Sequence, residues 1–218
     1  ETLQVHNMKH FVLIVVLGLV FCNDENGGKM PSWADERKFG KLQDAWQSLK
    51  RDKNSTYYLK KATYKDDAGW GKNFSCVTIK ASSVSEENKS IQATVMYKNG
   101  SETTWYTVEE NVTAIKMYNY TNTYNGIQYE TQGSVKKIFQ DALVYSDGMY
   151  CDIFYAPNAT SSESNDGGGY ELWVAESQLR QIPPTCELLF MALTKGMPVY
   201  VMWNSSCDTP IQQRVSNH

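Results

Sequence analysis

Two short segments of this 218-residue chain place a carboxylate beside a large aromatic ring. In Met149-Tyr150-Cys151-Asp152-Ile153-Phe154-Tyr155, read as a strand, alternation puts Asp152 on one face with Tyr150 and Phe154. In Tyr170-Glu171-Leu172-Trp173-Val174, Glu171 shares its face with Trp173. An acid buried on such a face is costly unless a cation or several donors meet it. A cationic ligand supplies that partner, and aromatic faces attract cations as well. A primary amine attached to a flat ring satisfies both needs. The same pattern also suits the opposite orientation, with Ile153 and Leu172 inside and both acids in solvent, and alternation alone leaves the two open.

Other chemistries are removed by composition. The three His are His6, His10 and His218; the first two fall in an apparent leader and the third ends the chain. A body without histidine has no Ser-His-Asp or Cys-His catalysis, no His-ligated zinc and no imidazole pH sensor. No catalytic residue, metal site or cofactor is expected. An enzyme would be left with carboxylate-only chemistry such as glycoside cleavage, and no pair is marked for it. With 21 Lys+Arg against 24 Asp+Glu, the net charge of −3 argues against a nucleic-acid partner. Lys60-Lys61 and Lys136-Lys137 do not extend into clusters, so neither reads as a membrane or heparin surface.

The elements that must position these acids follow from periodicity. Met8-Lys9-His10 and the apolar run at 11–21 read as a secretory signal peptide, 8–22, cut near Cys22; residues 1–7 are upstream translated sequence or a cloning remnant. The run is too short to span a bilayer, which needs roughly 20 apolar residues. Residues 23–218 then form one domain. Its four Cys, at 76, 151, 186 and 207, suit two disulfides in an oxidising compartment, and none sits in a C-x-x-C pair. Eight glycosylation sequons begin at Asn54, Asn73, Asn88, Asn99, Asn111, Asn119, Asn158 and Asn204, which fits a secreted glycoprotein.

Leu42, Trp46 and Leu49 repeat at helical spacing and predict a short helix over 41–51, with Trp46 in helix packing. From 57 to 174 the period becomes two, as in Ile91, Ala93, Val95 and Tyr97. Asn99-Gly100, Asn125-Gly126 and Asp147-Gly148 lie between such runs, where two-residue hairpin turns favour these pairs. Hairpin-linked strands at this spacing suggest an antiparallel barrel or sandwich. A small barrel of about eight strands can enclose one ligand. Residues 161–169 form a Ser/Asp/Gly loop, and Thr185 is placed to cap a second helix over 186–195, ended by Gly196 and Pro198.

A family resemblance joins these pieces. Cys151-Asp152-Ile153, seventeen residues, Glu171-Leu172-Trp173, twelve residues and Cys186 resemble the amine-binding signature of tick salivary lipocalins, the histamine-binding protein family. Asp44-Ala45-Trp46-Gln47 looks like that family's first-helix motif. The resemblance implies a mainly β fold: an eight-stranded antiparallel lipocalin-type barrel with an N-terminal and a C-terminal helix packed outside. It also implies the bridges Cys76–Cys207 and Cys151–Cys186. Members bind histamine, serotonin or both, and some hold lipid mediators instead; they sequester these in saliva and are not enzymes.

Carried over by position, the resemblance places an inner amine site on Asp152 and Glu171 as counter-ions, with Trp173 and Trp70 as walls and Ser48 and Asp52 closing it. A second site, near the mouth, is suggested by Tyr64, Asp67, Glu110, Phe139 and Asp141. The leading expectation is a secreted, monomeric scavenger of host biogenic amines. A binder of leukotriene, fatty acid or sterol is the runner-up, which acids at 152 and 171 disfavour. A barrel that serves only as scaffold to inhibit a host protein is the third.

Overall fold

The computed structural model describes residues 30–100, 104–130, 137–159 and 168–207. The expected leader at 8–22, residues 1–7, the three His, Lys136 and most of the loop at 161–169 lie outside the described residues. No described helix is long and apolar enough to cross a membrane.

Eight antiparallel strands run in chain order around a barrel: β1 (Tyr57–Ala62), β2 (Ser75–Ser85), β3 (Ser90–Lys98), β4 (Tyr106–Ile115), β5 (Gly126–Glu130), β6 (Ile138–Ser146), β7 (Cys151–Ala156) and β8 (Gly169–Ala175). Strand β8 pairs back onto β1, from Tyr57 opposite Ala175 to Ala62 opposite Glu171, and closes the sheet. Closure removes the unpaired edge that an open sheet would expose. A two-residue strand, β9 (Tyr200–Val201), adds to the second half of β1, where β2 no longer reaches it.

The period of two predicted by the sequence sets the inner face. In β3, Ile91, Ala93, Val95 and Tyr97 are buried while Gln92 is exposed. The orientation that alternation left open is decided at β7 and β8. Ile153 and Leu172 pack outward with Leu189 and Phe190 of α3 (Pro184–Leu193). Asp152, Phe154, Glu171 and Trp173 therefore face the barrel interior.

Helix boundaries differ from the sequence expectation. Asp44 has extended backbone and its Oδ1 accepts from Gln47 N at 3.1 Å, so it is an N-cap and the chain cannot run helically through it. The helix expected over 41–51 is thus divided. A short α1 (Glu36–Phe39) runs into a 3₁₀ turn at Gly40–Leu42, and α2 covers Ala45–Arg51. Thr185 does not cap α3; Pro184 starts it, where a missing N–H costs nothing, and Pro183 is the cap residue. Asn125-Gly126 is not a turn. Asn125 is buried, its Oδ1 accepts from Met117 N at 2.7 Å, and Gly126 opens β5 where a Cβ would meet Met117 Sδ at 2.5 Å. Asn99-Gly100 and Asp147-Gly148 do turn, with Gly100 and Gly148 at positive φ, but in connections longer than two residues.

Two disulfides, Cys76–Cys207 and Cys151–Cys186, tie the C-terminal tail to β2 and α3 to β7. The pairing is the one the resemblance implied.

Candidate functional site

Helix α2 packs against β2, β3 and β4 at one end of the barrel. Its Ser48 and Leu49, with Asp52 at its C-cap, face the interior at i, i+1 and i+4, while Trp46 packs on Ala81, Ile91 and Ala93 and takes no part in the lining. The barrel interior holds a cavity of about 610 Å³, counting the part open to solvent. Eight of the residues expected to bind ligand line it: Ser48, Asp52, Trp70, Glu110, Asp141, Asp152, Glu171 and Trp173. Glu110 stands mid-strand in β4 rather than in a turn, with Glu109 on the outer face. The other three are not among the lining residues but contact them or set their position. Tyr64 donates to Glu171 Oε1. Phe139 stacks on the lining residue Tyr129 at 5.6 Å between centroids. Asp67 Oδ1 accepts from the backbone N–H groups of Gly69 and Trp70, at 2.6 and 3.0 Å, which sets the turn that carries Trp70.

The grouping differs from the one inferred by position. Asp152 and Glu171 are not side by side: β7 and β8 pair Asp152 with Trp173 and Phe154 with Glu171, so the two acids are diagonal neighbours. Each belongs to its own cluster. Beside α2, Asp152 Oδ2 accepts from Ser48 Oγ at 2.6 Å, and Arg51 Nη2 reaches Oδ1 at 2.7 Å and Oδ2 at 3.0 Å. Asp52 and Tyr57 line the cavity at this end. Tyr150, placed by alternation beside Asp152, precedes β7 and is exposed in the turn.

In the second cluster, Glu171 Oε2 accepts from Trp173 Nε1 at 2.7 Å, and Tyr64 holds the other oxygen. Tyr129 donates to Asp141 Oδ2 at 2.9 Å. Trp70 meets Trp173 edge to face at 6.3 Å. None of the ion pairs among the described residues reaches Glu171, Asp141 or Glu110. The same acids hold protons tightly. Burial, opposed by the Tyr64 and Trp173 hydrogen bonds, raises Glu171 to about 7, and burial with Asp67 nearby raises Glu110 to about 7. Asp141 is pushed well up by burial and by the Glu171 charge. These are acids stored without counter-cations, in a setting where a cation is strongly favoured.

Sequence reasoning did not single out Arg51, Tyr57 or Tyr129, or the apolar lining residues Ile79, Val112 and Ile127; Phe154 and Val95 it placed on a strand face without making them ligand contacts. The lining was legible only as alternation. Arg51 carried no signal, because nothing in spacing joins it to a residue 101 positions away.

A closed eight-stranded barrel around a cavity of acids and aromatic rings is a lipocalin-type fold built to hold a small ligand. Residues 33–209 match the family described as Tick histamine binding protein, and the chain belongs to that family. It is 43% identical to the male-specific histamine-binding salivary protein of Rhipicephalus appendiculatus over 176 residues, 81% of this chain and 84% of that one. It is 34% identical to the female-specific histamine-binding protein 1 of the same tick, over 89% of this chain and 97% of that one. Among solved structures, a complex of AM182 with serotonin has the same fold, with TM-score 0.54 at 19% identity over 85% of this chain and 97% of that one.

Proposed function

We propose that this protein binds a small aromatic amine in the barrel, histamine or serotonin, and acts as a secreted salivary scavenger of host amines. The observation that carries the reading is Glu171: a buried carboxyl with two fixed donors, next to Asp141, and in no ion pair among the described residues. An ammonium supplies the missing charge, and Trp70 and Trp173 offer ring faces to the aromatic part. Salivary relatives, two disulfides and sequon Asn residues that are exposed at seven of eight positions (Asn99 is half-buried) support export and glycosylation. An anionic lipid would meet Glu110, Asp141 and Glu171 with no Lys or Arg among the described lining residues, which weighs against the lipid reading.

Titration calorimetry of the disulfide-bonded chain with histamine, then serotonin, tests this. Stoichiometric heat is expected with at least one of them. Glu171→Gln keeps the shape and removes the charge. Losing a hydrogen bond to a charged group costs about 1.5–3 kcal/mol, so affinity should fall roughly 10- to 150-fold. Unchanged affinity in Glu171→Gln would refute the assigned pocket.

A further inference from the structure

The acids lining the cavity are not equivalent. At the α2 end, Asp152 already has a cation: Arg51 Nη2 contacts both carboxylate oxygens, at 2.7 and 3.0 Å, with Ser48 Oγ as a further donor at 2.6 Å. The guanidinium is held by more than Asp152. Nη2 also lies 3.1 Å from Ser146 Oγ at the end of β6, and the group sits 5.6 Å from the Tyr57 ring centre at the start of β1. Arg51 is the last residue of α2, where the helix dipole favours positive charge. It approaches Asp152 from behind the cavity wall, since Asp152 lines the cavity and Arg51 does not. The other cluster holds Glu171, Asp141 and Glu110 with no ion pair among the described residues.

We propose that Arg51 is a resident counter-ion that takes the place of a ligand's ammonium at Asp152, so that the barrel accepts one amine, at the Glu171–Asp141 end, and not a second beside α2. This rests on the amine-binding reading above. An ammonium brought to Asp152 would share one carboxylate with a guanidinium, and like charges on a common partner repel. Displacing Arg51 would break its contacts to Asp152, Ser146 and Tyr57 together. The remaining acid at this end, Asp52, has no hydrogen bond to its carboxyl among the described residues, and burial and the neighbouring Asp152 favour its protonated, neutral form. A neutral carboxyl is no counter-ion. Arg51 is thereby a residue that sets stoichiometry without touching the ligand.

Native mass spectrometry and calorimetry with histamine decide it, on the disulfide-bonded chain, on Arg51→Met and on Glu171→Gln. The unaltered chain should take one histamine, Arg51→Met should take two, and Glu171→Gln should lose the single event with no residual site at the α2 end. Two histamines on the unaltered chain, or a full-strength event surviving in Glu171→Gln, overturn the proposal while leaving amine binding intact. A folded Arg51→Met that still takes only one also overturns it. No histamine or serotonin bound by any form overturns the amine reading and this proposal with it. Because Arg51→Met leaves Asp152 buried and unpaired, near-ultraviolet circular dichroism checks its fold; if it fails, the first and third measurements still decide.

Discussion

Amine binding to this barrel should strengthen as pH rises from 6 to 8, because the cavity's acids must give up protons to receive a cation. Glu171 is the group to follow. Its burial raises it to about 7, against 4.5 for a free glutamate. At that value about nine-tenths of it is protonated at pH 6 and about one-tenth at pH 8. A ligand ammonium that needs the carboxylate is therefore bound about tenfold more tightly at pH 8, or about 1.4 kcal/mol. If Glu110, also raised to about 7, ionises in the same step, the ratio approaches about a hundredfold. The empty protein should show the opposite trend. Below about 4.5 folded and unfolded chains both carry the proton; between 4.5 and about 7 the unfolded chain loses it first; above that the full penalty stands. Stability of the empty barrel then falls by about 3 kcal/mol per such group across this window, and ligand restores it. Serotonin is the better probe, because the imidazole of histamine titrates in the same range. Calorimetry at pH 6, 7 and 8, in buffers of different ionisation enthalpy, measures affinity and proton release together. Affinity that is flat or falls with rising pH, with no proton released, would refute the account of these acids as stored without counter-cations.

Three further outcomes test the scaffold. In Gly169→Ala the new Cβ would lie 2.4 Å from Tyr64 Cδ1 and 2.9 Å from Thr63 Oγ1, so the ring must move away from Glu171; a stability loss of about 1–3 kcal/mol and weaker amine binding are expected by thermal melting and calorimetry. Replacing Cys151 and Cys186 together by Ser opens a bridge of sequence separation 35 and should cost about 4 kcal/mol from loop entropy, with denaturant unfolding as the readout. The longer Cys76–Cys207 bridge, separation 131, should cost about 5 kcal/mol by the same relation.

Much of this protein was written locally. Strand identity, the inward face of β3 and the carboxylate–aromatic pairs Asp152/Phe154 and Glu171/Trp173 follow from a period of two, which any strand imposes on its own residues. The likeness of Cys151-Asp152-Ile153 and Glu171-Leu172-Trp173 to a family signature then supplied the barrel and the disulfide pairing that alternation alone could not. Where local signals competed, boundaries were misread: Asp44 fits a helical window, yet its short side chain is worth more as a cap, and Asn125-Gly126 resembles a hairpin turn but serves a close approach to Met117.

Only the tertiary structure decided which acids are paired. Asp152 and Glu171 look alike in sequence, each an acid two residues from an aromatic ring. Closure of the barrel brings the end of α2 to β7, so Arg51 meets Asp152, while Glu171 meets Tyr64 and lies near Asp141. Charge pairing depends on distances of a few ångströms between residues about a hundred positions apart, and no spacing along the chain encodes them. That is why the sequence could name the acids while the fold alone separated the neutralised one from those left for a ligand.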